Sequence, residues 1–168
     1  LVEVEPENVA VTTVQPVIYM IASDQRLTVL YNLLKKHDRS RVLVFANRRD
    51  TARRVADELA GRGVACELLS GEVDQKKRVR ILEHFRGEKV RVLVATDVAA
   101  RGIHVEGIDF VVNFDLPYEA ESYVHRIGRT GRAGATGVAI SFACEKESFA
   151  IPEIEEYIGE ALSCEYPD

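Results

Sequence analysis

Three arginines recur at every third position, Arg126, Arg129 and Arg132, and glycines sit between and after them at 128, 131 and 134. The planar guanidinium suits a phosphate, because it donates two parallel hydrogen bonds and does not deprotonate. Glycine lets a backbone approach a phosphate closely. On a helix the spacing would put the arginines on one face, but the glycines predict that the helix stops near Ile127 and that the rest is loop. The chemistry that fits is a phosphate clamp. A basic loop with no ligand is the other reading of the same residues.

Further polar loops follow apolar runs. They are Asn47-Arg48-Arg49-Asp50, Ser70-Gly71-Glu72-Val73-Asp74, Thr96-Asp97 with Ala99-Ala100-Arg101-Gly102, and Asp115-Leu116-Pro117. Arg48, Arg49, Thr96, Gly71 and Gly102 could line a phosphodiester backbone without reading bases. Gln75 and Arg78, one helical turn apart, could hold such a loop in place; a solvated helix face is the plainer alternative. The chain has no G-x-x-x-x-G-K-[ST] loop and no acidic pair placed after a strand to hold Mg²⁺. Arginines alone cannot run phosphoryl transfer. The residues read as half of a site.

The elements that must position these loops alternate. Strands are expected at Val14–Ala22, Val42–Ala46, Val64–Leu69, Val90–Ala95, Ile108–Phe114 and Val138–Ala143. Between them, Ser23 can cap a helix with Leu27, Leu30, Tyr31 and Leu34 on one stripe. A second helix runs from about Asp50 to Arg62, with Ala52, Val55, Ala56 and Leu59 inward. Asp74 caps a third with Val79, Leu82 and Phe85 inward, and Glu119–Ile127 is a short fourth. Glu145–Ile158 reads as an acidic helical end interrupted near Pro152. Strands apolar on both faces, separated by helices, predict an open, mostly parallel α/β sheet covered on both sides. Ligands of such sheets bind at the carboxyl ends of the strands, which is where these polar loops fall.

The 168 residues, 46% hydrophobic and 29% charged, suit one globular domain. Its expected core is about residues 14–143, followed by an acidic extension at 145–168. The net charge of −5 is unevenly spread. Residues 11–144 hold 21 Lys or Arg against 16 Asp or Glu, and both ends are acidic. A basic middle is compatible with a polyanion. Residues 9–23 are uncharged but fall short of the ~20 apolar residues of a membrane span, and no signal peptide is visible. Cys66, Cys144 and Cys164 lack metal-ligand spacing and read as free thiols of a reducing, cytoplasmic compartment. The chain starts at Leu1 rather than Met, so a piece of a longer protein is expected.

Four motifs in order and spacing carry a resemblance: Phe45-Ala46-Asn47, Gln75-x-x-Arg78, Ala95-Thr96-Asp97-Val98-Ala99-Ala100-Arg101-Gly102 and His125-Arg126-Ile127-Gly128-Arg129-Thr130-Gly131-Arg132. From about Val14 to Ala143 the chain resembles the second RecA-like domain of DEAD-box RNA helicases, and most of all the bacterial RhlB type. The resemblance implies ATP with Mg²⁺ as cofactor, bound mainly by a first domain that carries the P-loop. RNA, that N-terminal RecA-like domain and an RNA-degradosome ribonuclease are the implied partners. A DNA-directed helicase or translocase and a non-catalytic binding module are the rival readings.

Position by position, the resemblance makes Arg129 and Arg132 the fingers that reach the γ-phosphate. His125 and Arg126 are implied to meet the partner domain, with Asp97 orienting the arginines and His104 and Gly102 near the nucleotide. Asn47, Arg48, Gly71, Thr96, Arg101 and Gly102 are implied to face RNA. Phe45, Gln75, Arg78 and Asp115 would support them. Two positions depart from the family: His104 stands where an Asp usually meets the ribose, and Ser70 where a His usually precedes Gly71. Alone, the chain is expected neither to hydrolyse ATP nor to unwind RNA.

Overall fold

The computed structural model describes residues 14–71, 73–103, 105–129 and 137–166. Among these residues seven strands, β1 (Val14–Met20), β2 (Val42–Phe45), β3 (Cys66–Leu69), β4 (Val92–Ala95), β5 (Phe110–Asn113), β6 (Gly137–Ala143) and β7 (Ser163–Glu165), form one sheet in the order β3-β4-β2-β5-β6-β1-β7. Every pairing is parallel. The central strands β2 and β4 are buried at every position, because helices cover both faces. This is the open parallel α/β sheet expected from the apolar runs.

On one face, α1 (Arg26–Lys36) and α2 (Arg49–Gly61) pack Leu30, Leu34, Ala52, Val55 and Leu59 onto Val42, Val44, Val92 and Val94. On the other, α3 (Gln75–Arg86) sets Ile81, Leu82 and Phe85 against Leu43, Phe45, Leu93 and Ala95. Also on that face, α4 (Ala120–Ile127) and α5 (Ala150–Ile158) bury Tyr123, Ile127, Ile151 and Ile154 with Ile18 and Ala139. Cys66 donates to the Ala56 carbonyl at 3.3 Å, and burial pushes its thiol up to about 11. It stays protonated and serves packing.

Local chemistry accounts for the element ends. Asp74 Oδ1 accepts the Lys77 N–H at 2.8 Å, so it caps α3 as expected. Ser23 does not cap with its side chain; a single 3₁₀ turn, Ser23–Gln25, leads into α1 instead. The inward stripe of α3 runs through Arg78, Ile81, Leu82 and Phe85, so Val79 falls at its margin and is 46% exposed. Pro16 lies in β1 just beyond the stretch paired with β7, where its missing N–H removes no bond to that edge strand.

The acidic end differs from expectation in detail. A 3₁₀ turn at Glu145–Glu147 precedes α5, and Pro152 sits within the first turn of α5, where no intrahelical N–H bond is needed. The break therefore precedes Pro152. Gly159, at φ +80°, ends α5 in the left-handed conformation. The chain then returns to add β7 to the sheet edge. Its sequence, Ser163-Cys164-Glu165, is exposed throughout and carries no apolar signal.

Candidate functional site

The polar loops gather at the carboxyl end of the sheet. Register puts Ala95, Phe45, Asn113 and Ser141 side by side in one row across β4, β2, β5 and β6. Two of these are polar and wholly buried. Asn113 Nδ2 donates to Ser141 Oγ at 2.9 Å, which leaves the Asn113 oxygen turned to α4.

Arg126 lies over this row. It is 1% exposed, and all five of its N–H groups are engaged. Nε and one Nη2 hydrogen hold the Asp97 carboxylate at 2.7 and 2.6 Å. The other Nη2 hydrogen reaches Asn47 Oδ1 at 2.6 Å. Nη1 donates to Asn113 Oδ1 at 3.2 Å and to the Asp115 carbonyl at 3.0 Å. The guanidinium also stands 5.3 Å from the centre of the Phe45 ring, a cation–π contact. One side chain thus fixes the loops after β2, β4 and β5. Sequence reasoning expected Arg126 at the partner-domain surface. Its direct reach is inward, because Asp97, Asn47, Asn113 and the Asp115 carbonyl together offer a complete set of acceptors.

One turn on, Gly128 closes α4 and the chain leaves the helix, as the glycine spacing predicts. Arg129 Nη1 donates to the Ile103 carbonyl at 2.8 Å. Phe45, Asp97, Arg101, His125 and Arg129 line a cleft of about 100 Å³. The His125 ring is exposed and 4.0 Å from Glu121, one turn back. Arg132 and His104 lie outside the described residues.

The loop beside this cleft is braced from below. Arg78 donates to the carbonyls of Ala99 and, at 3.0 Å, Arg101. Gln75 is exposed at the start of the same helix. Gly102 adopts φ +78°, a conformation that L side chains rarely take. Thr96 is only 6% exposed, whereas Arg101 and Gly71 are exposed.

On the other side of Asn47, the residues Arg48, Arg49, Asp50 and Arg53 line an open groove of about 660 Å³ at the start of α2. Arg48 and Asp50 pair there through two bonds of 3.2 and 3.1 Å, both side chains well exposed. The Thr51 N–H, and after it the Arg48 pairing, holds the Asp50 carboxyl below the usual range. Asn47 itself is fixed at both ends of its amide, since Nδ2 donates to the Leu116 carbonyl at 2.9 Å. Asp115 Oδ2 accepts the Asn47 N–H at 3.1 Å.

Residues 25–134 match the family model of the helicase conserved C-terminal domain. The chain belongs to that family. It is a C-terminal RecA-like domain of the DEAD-box type. The helicase domain is 53% identical over 167 residues to the ATP-dependent RNA helicase RhlB of Pseudomonas syringae pv. tomato. The match covers 99% of this chain and 42% of that protein. A RhlB of Xanthomonas oryzae pv. oryzae is 45% identical over 162 residues, 96% of this chain and 28% of that protein. The helicase domain therefore spans well under half the length of these relatives.

Solved structures agree with the fold. The DEAD-box protein SrmB of E. coli, bound to regulator of ribonuclease activity A, superposes with a TM-score of 0.84 at 35% identity. The superposition covers 92% of the helicase domain and 91% of that chain. Dbp5 of S. cerevisiae bound to RNA and ADP BeF3 gives 0.81 at 32% identity, covering 91% of the helicase domain and 41% of that chain.

Sequence reasoning missed three members of this cluster: Asn113, Ser141 and Arg26, whose Nη1 donates to Asp115 Oδ1 at 3.0 Å. Asn113 and Ser141 are polar residues inside apolar strands, a signal the sequence did carry, since buried polar groups need partners. Arg26 carried none: it looks like one more charge on an amphipathic helix. No helix among the described residues is long and apolar enough to cross a membrane.

Proposed function

We propose that this domain forms the second half of an ATP-dependent RNA helicase of the RhlB type, closing on a first RecA-like domain across the carboxyl end of its sheet. The carrying observation is the contrast inside one motif. Arg126 is consumed by internal acceptors, while Arg129, three residues on, lines a cleft shared with Arg101 and His125. A guanidinium held in place by a rigid neighbour suits the γ-phosphate of a nucleotide bound elsewhere. Arg129 and Arg132 take that role in this reading.

The donors that suit a phosphate here are the guanidiniums of Arg101 and Arg129 and the His125 imidazole, while the one carboxylate of the cleft lining, Asp97, is held by Arg126. In this reading ATP with Mg²⁺ supplies the phosphoryl group, held mainly by the first domain. His125 meets that domain, and Gly102 and His104 lie near the nucleotide. Asp97 and Phe45 keep Arg126 in place. Asn47, Arg48, Arg101, Gly71 and Thr96 face the RNA backbone, and Gln75, Arg78 and Asp115 support their loops. Contacts to phosphates fix position without reading sequence. Because ATP and RNA would both favour the closed state, each raises affinity for the other. Dbp5 bound to RNA and ADP BeF3 supports this shared arrangement.

A ribonuclease of an RNA-degrading assembly is the protein partner this reading implies. Phe149, just before α5, and Tyr157 on α5 are exposed among acidic residues and could meet it. The deciding experiment compares RNA-stimulated ATP hydrolysis by the full-length protein and its Arg129→Ala variant. Loss of turnover in a folded protein that still binds ATP supports the finger role. Unchanged turnover moves the arginine away from the γ-phosphate and leaves a binding module.

A further inference from the structure

A second buried arginine completes the cluster from the opposite side of the sheet. Arg26, the first residue of α1, is 5% exposed although its neighbours Asp24 and Gln25 are exposed. Its Nη1 donates to the Phe114 carbonyl at 3.1 Å and to Asp115 Oδ1 at 3.0 Å. Its Nη2 donates to Glu147 Oε1, which also accepts the Cys144 N–H at 3.1 Å. Arg26 therefore ties the loop after β5 to the turn after β6.

Asp115 is the shared member. One carboxylate oxygen faces Arg26, the other accepts the Asn47 N–H, and its carbonyl accepts from Arg126. Its side chain is 18% exposed, so a carboxylate deprived of Arg26 would keep only the Asn47 amide and partial water. It would turn outward for hydration, because a half-buried charge without its cation is costly. The Asn47 N–H would then lose its acceptor. Arg48 follows Asn47 directly, so the error would pass to the mouth of the basic groove.

We propose that Arg26 is a positioning residue for RNA engagement: through Asp115 it sets the backbone of Asn47 and hence the Asn47–Arg48 edge of the groove. This rests on the function proposed above. Arg26 touches neither RNA nor nucleotide in this scheme. It determines how well a preformed edge meets the strand, so its loss acts on RNA affinity more than on the chemical step.

The test uses the full-length protein with Arg26→Met and Arg26→Lys. Two quantities are read: the RNA concentration giving half-maximal ATP hydrolysis, with kcat at saturating RNA, and amide hydrogen exchange of the peptide containing Asn47. In Arg26→Met the half-maximal RNA concentration is expected to rise about tenfold with kcat changed less than about threefold, and the Asn47 peptide to exchange faster. Arg26→Lys, which keeps the charge and can contact Asp115, recovers part of both and covers the case in which the Met variant does not fold. A folded variant with normal RNA dependence and normal Asn47 exchange overturns the proposal. So does a fall in kcat alone. If the wild type shows no RNA-stimulated hydrolysis while Asn47 exchange responds to Arg26, the wiring stands and the helicase reading falls.

Discussion

Two arginine-bearing regions share the carboxyl end of this sheet, and they are built on opposite terms. In the buried cluster, Arg26 and Arg126 are 5% and 1% exposed, and both hold carboxylates and main-chain carbonyls. At the start of α2, Arg48, Arg49 and Arg53 are exposed along an open groove. The buried arginines bring loops together and have little left for a ligand. The exposed ones keep a hydrated charge that a polyanion can displace water from. Arg129 stands between the two, half-buried at a cleft that the first group shapes.

Substitutions separate these terms. The largest effect is expected on activity: Arg129→Ala should lower RNA-stimulated kcat of the full-length protein by about 10³-fold or more while its melting temperature holds. A loss of both together would move Arg129 into the structural group. Arg126→Ala should do the reverse first. Removing a buried cation from its carboxylate costs about 3–5 kcal/mol of stability, measurable by denaturant unfolding, and activity falls because the protein unfolds or its loops separate. Unfolding at the wild-type midpoint would mean that the cluster is not a structural hub.

Smaller effects sharpen the same boundary. Asp97→Asn keeps the shape but removes the charge-assisted pair with Arg126, and about 1.5–3 kcal/mol of stability should go with it. The smallest change falls on the groove. Arg48→Ala should leave the melting temperature unaltered, because the Arg48–Asp50 pair lies in water and such pairs contribute little. It should instead lower the slope of log affinity for single-stranded RNA against log salt by about 0.7, as one phosphate contact is lost. A filter-binding salt series with an unchanged slope would place Arg48 off the RNA path.

The sheet was legible in the sequence because a buried parallel strand needs apolar residues on both faces. Val42–Ala46 and Val90–Ala95 could be little else. The loops of the site were legible for a related reason: polar residues and glycines collect where those runs end. Asp74 as a cap and the end of α4 near Ile127 were also readable from residue type alone. β7 was not, since a three-residue edge strand borrows its partner from β1 and needs no pattern of its own.

What the sequence alone determined, then, is the order of the first six strands and the helices between them, and the set of loops that carry arginine, glycine and acid. What the tertiary structure decided is which arginine faces in. Spacing makes Arg126, Arg129 and Arg132 equivalent, and it makes Arg26 an ordinary helix charge. Arg126 is singled out by Phe45, Asn113 and Asp97, and Arg26 by Asp115 and Glu147, residues from 13 to 121 positions away. A guanidinium is buried only where enough acceptors converge on its donors, and strand register, not local sequence, brings them together.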